Sequence, residues 1–369
     1  MKKINENIIK YPVDAQSDGF ICAFVSAILA AQKADNNTIA SGNTPIYCSR
    51  NHSVCDNCGG CGNKSMENRL HISRYHYYLA VTGVGLLWSF DQISTTGTLD
   101  FAMKSAGYNY EIIDRAERKT ELFKRISYSV DCGMPVLMKH GIGEDWHVVT
   151  GYDTDGDVLY GIDSHDHWSV KPSHTPDGYT DSGLFYTGKW YDSLICAIII
   201  TSEKPKLDLP ALIEHMIFML ENSGGIKLER EIVDALDDGG SDKHQTAEWI
   251  NCLAGYTVES RWHTAEAFAS DLYCKTDDIV VKELFLESAK QYFLFHDLCW
   301  KIWELLGVTP ESNYRIADDA GERICGDKVK SELILLFKKL FIIDRNVLER
   351  LIVCKDQLRN NKTYNVLEC

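Results

Sequence analysis

The chain holds 369 residues, 45% hydrophobic and 25% charged, and its 53 acidic against 38 basic side chains leave a formal charge of −15. That usage belongs to a folded globular protein of about two domains and excludes whole-chain disorder. An acidic surface repels phosphate backbones and anionic lipid, and no basic run of useful length offsets it, so neither a nucleic-acid nor a membrane partner is expected.

No stretch reaches the ~18 apolar residues of a membrane span. Residues 194–200 are short enough for a buried strand, and 333–343 are interrupted by Lys338 and Lys339. Residues 1–11 alternate polar with apolar side chains and lack the continuous apolar core of a signal peptide. Thirteen cysteines, odd in number and scattered from Cys22 to Cys369, make a poor disulfide framework for so long a chain. A cytoplasmic location is the expectation.

Along the chain, 23–32 read as a short helix with small and apolar residues on most faces, hence buried. The Cys/Gly/Asn-rich stretch 53–64 is expected to be irregular. Helices follow over 75–89 and 98–106, then strands over 135–139, 147–152, 158–163 and 193–201. The turn Asp153-Thr-Asp-Gly-Asp157 joins two of these strands as a hairpin, because an Asp-Gly pair supplies the backbone a tight turn demands. A calcium loop is the sharper reading of its three aspartates, but the full twelve-position ligand pattern is absent. The segment 202–210 reads as a linker, with Asp208 and Pro210 placed to open a helix.

From there the periodicity is helical: 209–222, 246–254, 263–273, 279–306 and 328–354, with Gly307 as a stop signal. Phe285, Tyr292, Phe293, Phe295, Trp300 and Trp303 fall at helical spacing, which favours bundle core over a cofactor box. The fold class is therefore α+β over residues 1–203, with an all-helical domain over 208–369.

Two groups of cysteines do not read as small core hydrophobes. Cys22 follows the turn Ser17-Asp18-Gly19 at the start of the first helix, where the helix dipole favours a thiolate. Gln16, just upstream, has a side-chain amide able to donate to a developing oxyanion. The base candidate is His147, at the start of a strand. In a hairpin centred on residues 154–156, His147 pairs across the strands with Asp163, close enough for a carboxylate to orient an imidazole. Asp166 is a nearby rival to Asp163.

Gln16, the helix-opening Cys22, the run Trp146-His-Val-Val-Thr-Gly-Tyr-Asp153 and Gly161-Ile-Asp163, preceded by Gly133-Met-Pro-Val-Leu137, resemble the papain-like superfamily. The similarity is to its bacterial C39-like branch and to amidase and acyltransferase relatives typified by the N-terminal domain of the butirosin-biosynthesis acyltransferase. It covers about residues 11–201. Ile21-Cys22-Ala23-Phe24 stands where that family carries a Cys-Gly or Gly-Pro run, and about 36–75 reads as an insertion. Transglutaminase-like proteins share the His-to-Asp spacing but keep Cys and His much closer in sequence.

The resemblance implies a papain-like domain, an N-terminal helix plus an antiparallel sheet, with Cys22 as nucleophile, His147 as proton shuttle, Asp163 orienting it and Gln16 at the oxyanion. It implies a thiol hydrolase, peptidase or amidase, acting on a small-molecule or peptide amide or thioester through an acyl-enzyme, with no cofactor for catalysis. An acyltransferase moving an acyl group from a thioester to an amine, and an inactive metal-stabilised binding protein, are the alternatives.

The second group is Cys48-x6-Cys55-x2-Cys58-x2-Cys61, with Gly59, Gly60 and Gly62 interleaved. Two-residue spacers let sulfurs converge on one ion and glycines permit the turns, which suits structural zinc first and an iron–sulfur cluster second. His52 is a substitute ligand. A redox-active or disulfide-linked set, and a loop that merely contains cysteines, stay open beside the metal reading.

Overall fold

The structure, a computed structural model, describes residues 2–4, 19–34, 46–48, 53–55, 66–83, 98–115, 117–140, 146–153, 158–163, 177–182, 184–192, 194–222, 232–234, 236, 243–309 and 315–367. It combines helices with antiparallel sheet, an α+β architecture. Its contacts divide the chain into two units. The first takes Met1–Thr44, Asn57–Tyr75 and Phe90–Leu207; the second takes Pro45–Asp56, His76–Ser89 and Asp208–Cys369.

The first unit is built on an antiparallel sheet. Its strands are β1 (Lys2–Ile4), β4 (Tyr108–Asp114), β5 (Val136–His140), β6 (Trp146–Asp153), β7 (Leu159–Asp163), β8 (Gly178–Tyr179), β9 (Phe185–Thr187) and β10 (Leu194–Glu203). The spatial order is β4-β10-β5-β6-β7-β9-β8, with β1 added to the far end of β6. The helices are α1 (Gly19–Ala34), α2 (Met66–Gly83), which runs on past Tyr75, α3 (Thr98–Ala106) and α4 (Lys119–Asp131).

Helix α1 is longer than the periodicity suggested, and residues 23–31 are buried throughout. A helix of alanine, valine, isoleucine, leucine and phenylalanine with no polar stripe suits such burial. It packs against β5 and β6. Helix α4 was not anticipated. Its Leu122, Ile126 and Val130 repeat every fourth residue and pack on Val136, Val149 and Ala197 of the sheet. Fully buried Trp190 joins the same core, and an aromatic side chain of that size contributes a few kcal/mol by area.

Strand β10, Leu194-Ile-Cys-Ala-Ile-Ile-Ile-Thr-Ser-Glu203, pairs with both β4 and β5, and Ala197 to Ile200 are buried, as a central strand requires. At its far end Lys204 N–H donates to Gly107 O. Gly107 holds φ +87° between α3 and β4, and a Cβ there would lie 2.9 Å from Lys204 O, so only glycine suits the position.

In the second unit, a short hairpin of β2 (Ile46–Cys48) and β3 (Ser53–Cys55) occupies part of the cysteine-rich region. Ser53–Cys55 is thus a strand, where irregular chain was expected. The helices are α5 (Leu209–Asn222), α6 (Lys243–Ala269), α7 (Ile279–Leu306), α8 (Ala320–Arg323) and α9 (Asp327–Leu367). The two helices expected over 246–273 are one continuous α6. Gly255 is helical and brings α6 against α7, where its Cβ would meet Trp303 Cζ2 at 3.4 Å.

Helix α7 starts at Asp278, whose carboxylate accepts the Val280 and Val281 N–H groups, and stops at Gly307 in the left-handed region. Phe268 stacks on Phe285 at 5.4 Å and on Tyr292 at 6.2 Å, so these aromatics form bundle core. Arg261 of α6 and Asp344 of α9 form a fully buried bidentate pair, Nη2 to Oδ2 at 2.6 Å and Nε to Oδ1 at 3.2 Å. No helix of the described residues is long and apolar enough to cross a membrane.

Candidate active site

The hairpin β6–β7 carries the candidate base and its orienting acid. Met138 of β5 pairs with His147 on one side, and Asp163 of β7 pairs with it on the other. The register runs His147↔Asp163, Val148↔Ile162, Val149↔Gly161, then shifts at a bulge before Gly151↔Tyr160 and Tyr152↔Leu159. The cross-strand pair expected from the sequence is therefore present in the backbone. His147 is buried, at 2% exposure, and its imidazole and the Phe185 ring meet edge to face, at 5.2 Å between centroids and 72° between planes.

Phe185 reaches His147 because of Gly161. Gly161 lies between Val149 on one side and Phe185 on the other. A Cβ on it would stand 2.3 Å from Val148 O and 2.8 Å from Phe185 Cε1. The phenylalanine ring occupies the space that a side chain at 161 would fill, the usual way a sheet covers a glycine.

Helix α1 begins at Gly19, so Cys22 is its fourth residue and closes its first turn. The helix that carries Cys22 packs on β6, the strand that carries His147. The side chains of Cys22 and Asp163, and Gln16 altogether, lie outside the described residues, as does Asp166.

The opposite end of β6 is pinned by a polar network. Lys3 Nζ donates to Asp131 Oδ1 at 2.9 Å, and Tyr152 Oη donates to the same oxygen at 2.8 Å. Burial pushes the Asp131 carboxyl up, but the hydrogen bonds from Lys3 and Tyr152 outweigh it and hold its pKa below the ordinary value. Burial and the bond to Asp131 push the Tyr152 phenol up. The network fixes β1 and the end of α4 to the strand, stiffening the element that presents His147.

Cys48 and Cys55 stand in the β2–β3 hairpin, opposite Ser53 and Ile46 respectively. Cys58, Cys61 and His52 lie outside the described residues. Among the described residues, no group of three or more His, Cys, Asp or Glu is placed to hold a metal ion. The turn residues 154–157 considered for calcium also lie outside them.

Neither the contact of Phe185 with His147 nor the Lys3–Asp131–Tyr152 network is marked in the sequence. Gly161 was visible only as part of the Gly-Ile-Asp run, and Phe185 belongs to a three-residue strand too short to show alternation. Compared with known proteins, the chain matches no family model, no curated protein and no solved structure.

Proposed function

We propose that the protein is a thiol-dependent hydrolase, a peptidase or amidase with a papain-like first unit. Cys22 attacks the carbonyl carbon of an amide or thioester, and its thiol proton passes to His147. The Gln16 amide donates to the carbonyl oxygen as it takes up negative charge. His147 returns the proton to the leaving amine or thiol as the bond to it breaks. Water, deprotonated by His147, then attacks the acyl-enzyme; the carbon–sulfur bond breaks, His147 passes its proton to the departing Cys22 sulfur, and the acid is released. Asp163 accepts from the imidazole, keeping the other ring nitrogen free to act as base.

The observation that carries this reading is the direct pairing of His147 with Asp163 across β6 and β7. The packing of α1 on β6 adds support. The test is hydrolysis of a panel of small amides, peptides and thioesters by wild type and the Cys22→Ala, His147→Ala and Asp163→Ala variants. Turnover lost in all three variants supports the triad. Turnover untouched in the Cys22→Ala variant removes it. Acyl transfer would use the same acyl-enzyme and is recognised by product formed only when an amine is added.

The spacing of Cys48, Cys55, Cys58 and Cys61 supports a second element of the proposal, a structural zinc site outside the catalytic chemistry.

A further inference from the structure

The proposed chemistry needs an imidazole held in one orientation, and the torsion that swings the ring about its Cβ–Cγ bond is intrinsically broad. Cross-strand pairing fixes where His147 sits but not how its ring is turned. What restricts the ring must therefore touch it. Met138, fully buried, is its backbone partner on β5. On the other side stands Phe185, 3% exposed, with its edge-to-face contact on the imidazole.

Phe185 belongs to β9, which is not the neighbour of β6; β7 lies between them. It makes contact with His147 only by lying across β7, and it does so at the one position of that strand without a side chain. Gly161 pairs with Phe185 directly, and a Cβ there would come within 2.9 Å of both Cε1 and Cζ of the ring. A methyl group at 161 would also press on Val148 O, in the strand that carries His147, so relief by a small side-chain adjustment is closed off. The glycine, the reclining phenylalanine and the imidazole form one continuous contact.

We infer that Phe185 is a positioning residue, setting the ring orientation of His147 across β7 through the gap left by Gly161. The inference rests on the proposed role of His147 as the base. Phe185 contributes no polar atom and acts only through His147.

The experiment compares wild type with the Phe185→Leu, Gly161→Ala and His147→Ala variants. It reads the pH profile of iodoacetamide labelling at Cys22, and the tautomer of the His147 imidazole by nitrogen-15 NMR. Circular dichroism checks the fold. Phe185→Leu keeps an apolar side chain of smaller size and is the variant expected to stay folded. The expected result is a folded Phe185→Leu protein whose Cys22 labels about tenfold more slowly near neutral pH, with a displaced pH profile and a second imidazole tautomer present. Gly161→Ala, where folded, moves the same readouts in the same direction. If Phe185→Leu keeps the wild-type profile and tautomer while His147→Ala loses reactivity, the positioning inference is overturned and the hydrolase reading stands. If His147→Ala itself labels like wild type, the hydrolase reading fails. The tautomer then decides alone: a change in Phe185→Leu supports positioning, and no change overturns it.

Discussion

His147 and Asp163 are direct cross-strand partners, with Val148 opposite Ile162 and Val149 opposite Gly161 in the same ladder. Directly opposed residues in an antiparallel pair have Cβ atoms roughly 4.5–5.5 Å apart, a spacing a carboxylate can bridge to an imidazole. Asp163→Asn preserves the shape and removes the charge that selects the tautomer. It is expected to slow Cys22 alkylation near neutral pH by about tenfold or more. Rates equal to wild type would leave Asp163 without an orienting role.

The Arg261–Asp344 pair is buried to 0% on both sides, so removing one partner strands a charge away from water. Asp344→Ala is expected to lower the stability of the helical unit by about 3–5 kcal/mol, read from denaturant midpoints. The double variant Arg261→Met with Asp344→Leu is expected to recover most of that loss.

His76 and His263, both of the second unit, approach to 2.8 Å between their Nδ1 atoms, both buried, joining the C-terminal half of α2 to α6. One ring donates and the other accepts. Replacing His76 by Phe leaves the His263 nitrogen without that bond and is expected to cost about 1–3 kcal/mol. An unchanged midpoint would show that the bond adds nothing net.

Burial pushes the Glu266 carboxyl up to about 8 and the His215 imidazole down to about 4. For Glu266 the folded value lies above the unfolded one, so its contribution is full below about pH 4.3 and is lost as pH rises through about 8. For His215 the folded value lies below the unfolded one, so its contribution is full above about pH 6.5 and is lost as pH falls through about 4. Glu266→Gln is expected to raise relative stability increasingly from pH 5 to 8. His215→Gln is expected to do so from pH 6.5 down to 4. Urea midpoints across that range read both, and parallel curves for variant and wild type would contradict the assignment.

A structural zinc at the cysteine cluster predicts about one zinc per chain by elemental analysis, lost on Cys58→Ser or Cys61→Ser substitution. Protein isolated under reducing, metal-replete conditions with no bound metal would remove the site.

Helix α7 was legible from end to end because both of its ends are chemically marked, by the Asp278 cap and by Gly307. Helix α6 runs unbroken through 255–262, where two separate helices were expected; Gly255 lies inside it, where the close approach of Trp303, a tertiary fact, suits a residue without a side chain. Helix α4 was missed although Leu122, Ile126 and Val130 carry a regular spacing, and β4 was missed although Tyr108-Asn-Tyr-Glu-Ile112 alternates, a run of only five residues broken by Ile113.

The His147–Asp163 register was legible for a subtler reason. Counting outward from the Asp-Gly turn pairs Tyr152 with Val158, yet the strand pairs Tyr152 with Leu159. The bulge between Val149 and Gly151 then restores the simple count at His147. Phe185 was not legible at all, since its role depends on β9 lying beside β7.

Whether Cys22 and His147 act together is read from site-resolved iodoacetamide labelling of every cysteine as a function of pH, in wild type and His147→Ala. Cys22 is expected to label rapidly well below the ordinary thiol value of about 8.5 and to lose that reactivity without His147. Cys22 labelling no faster than buried Cys299, or than Cys354 with its thiol pushed up by burial to about 12, and indifferent to His147, would rule the pairing out.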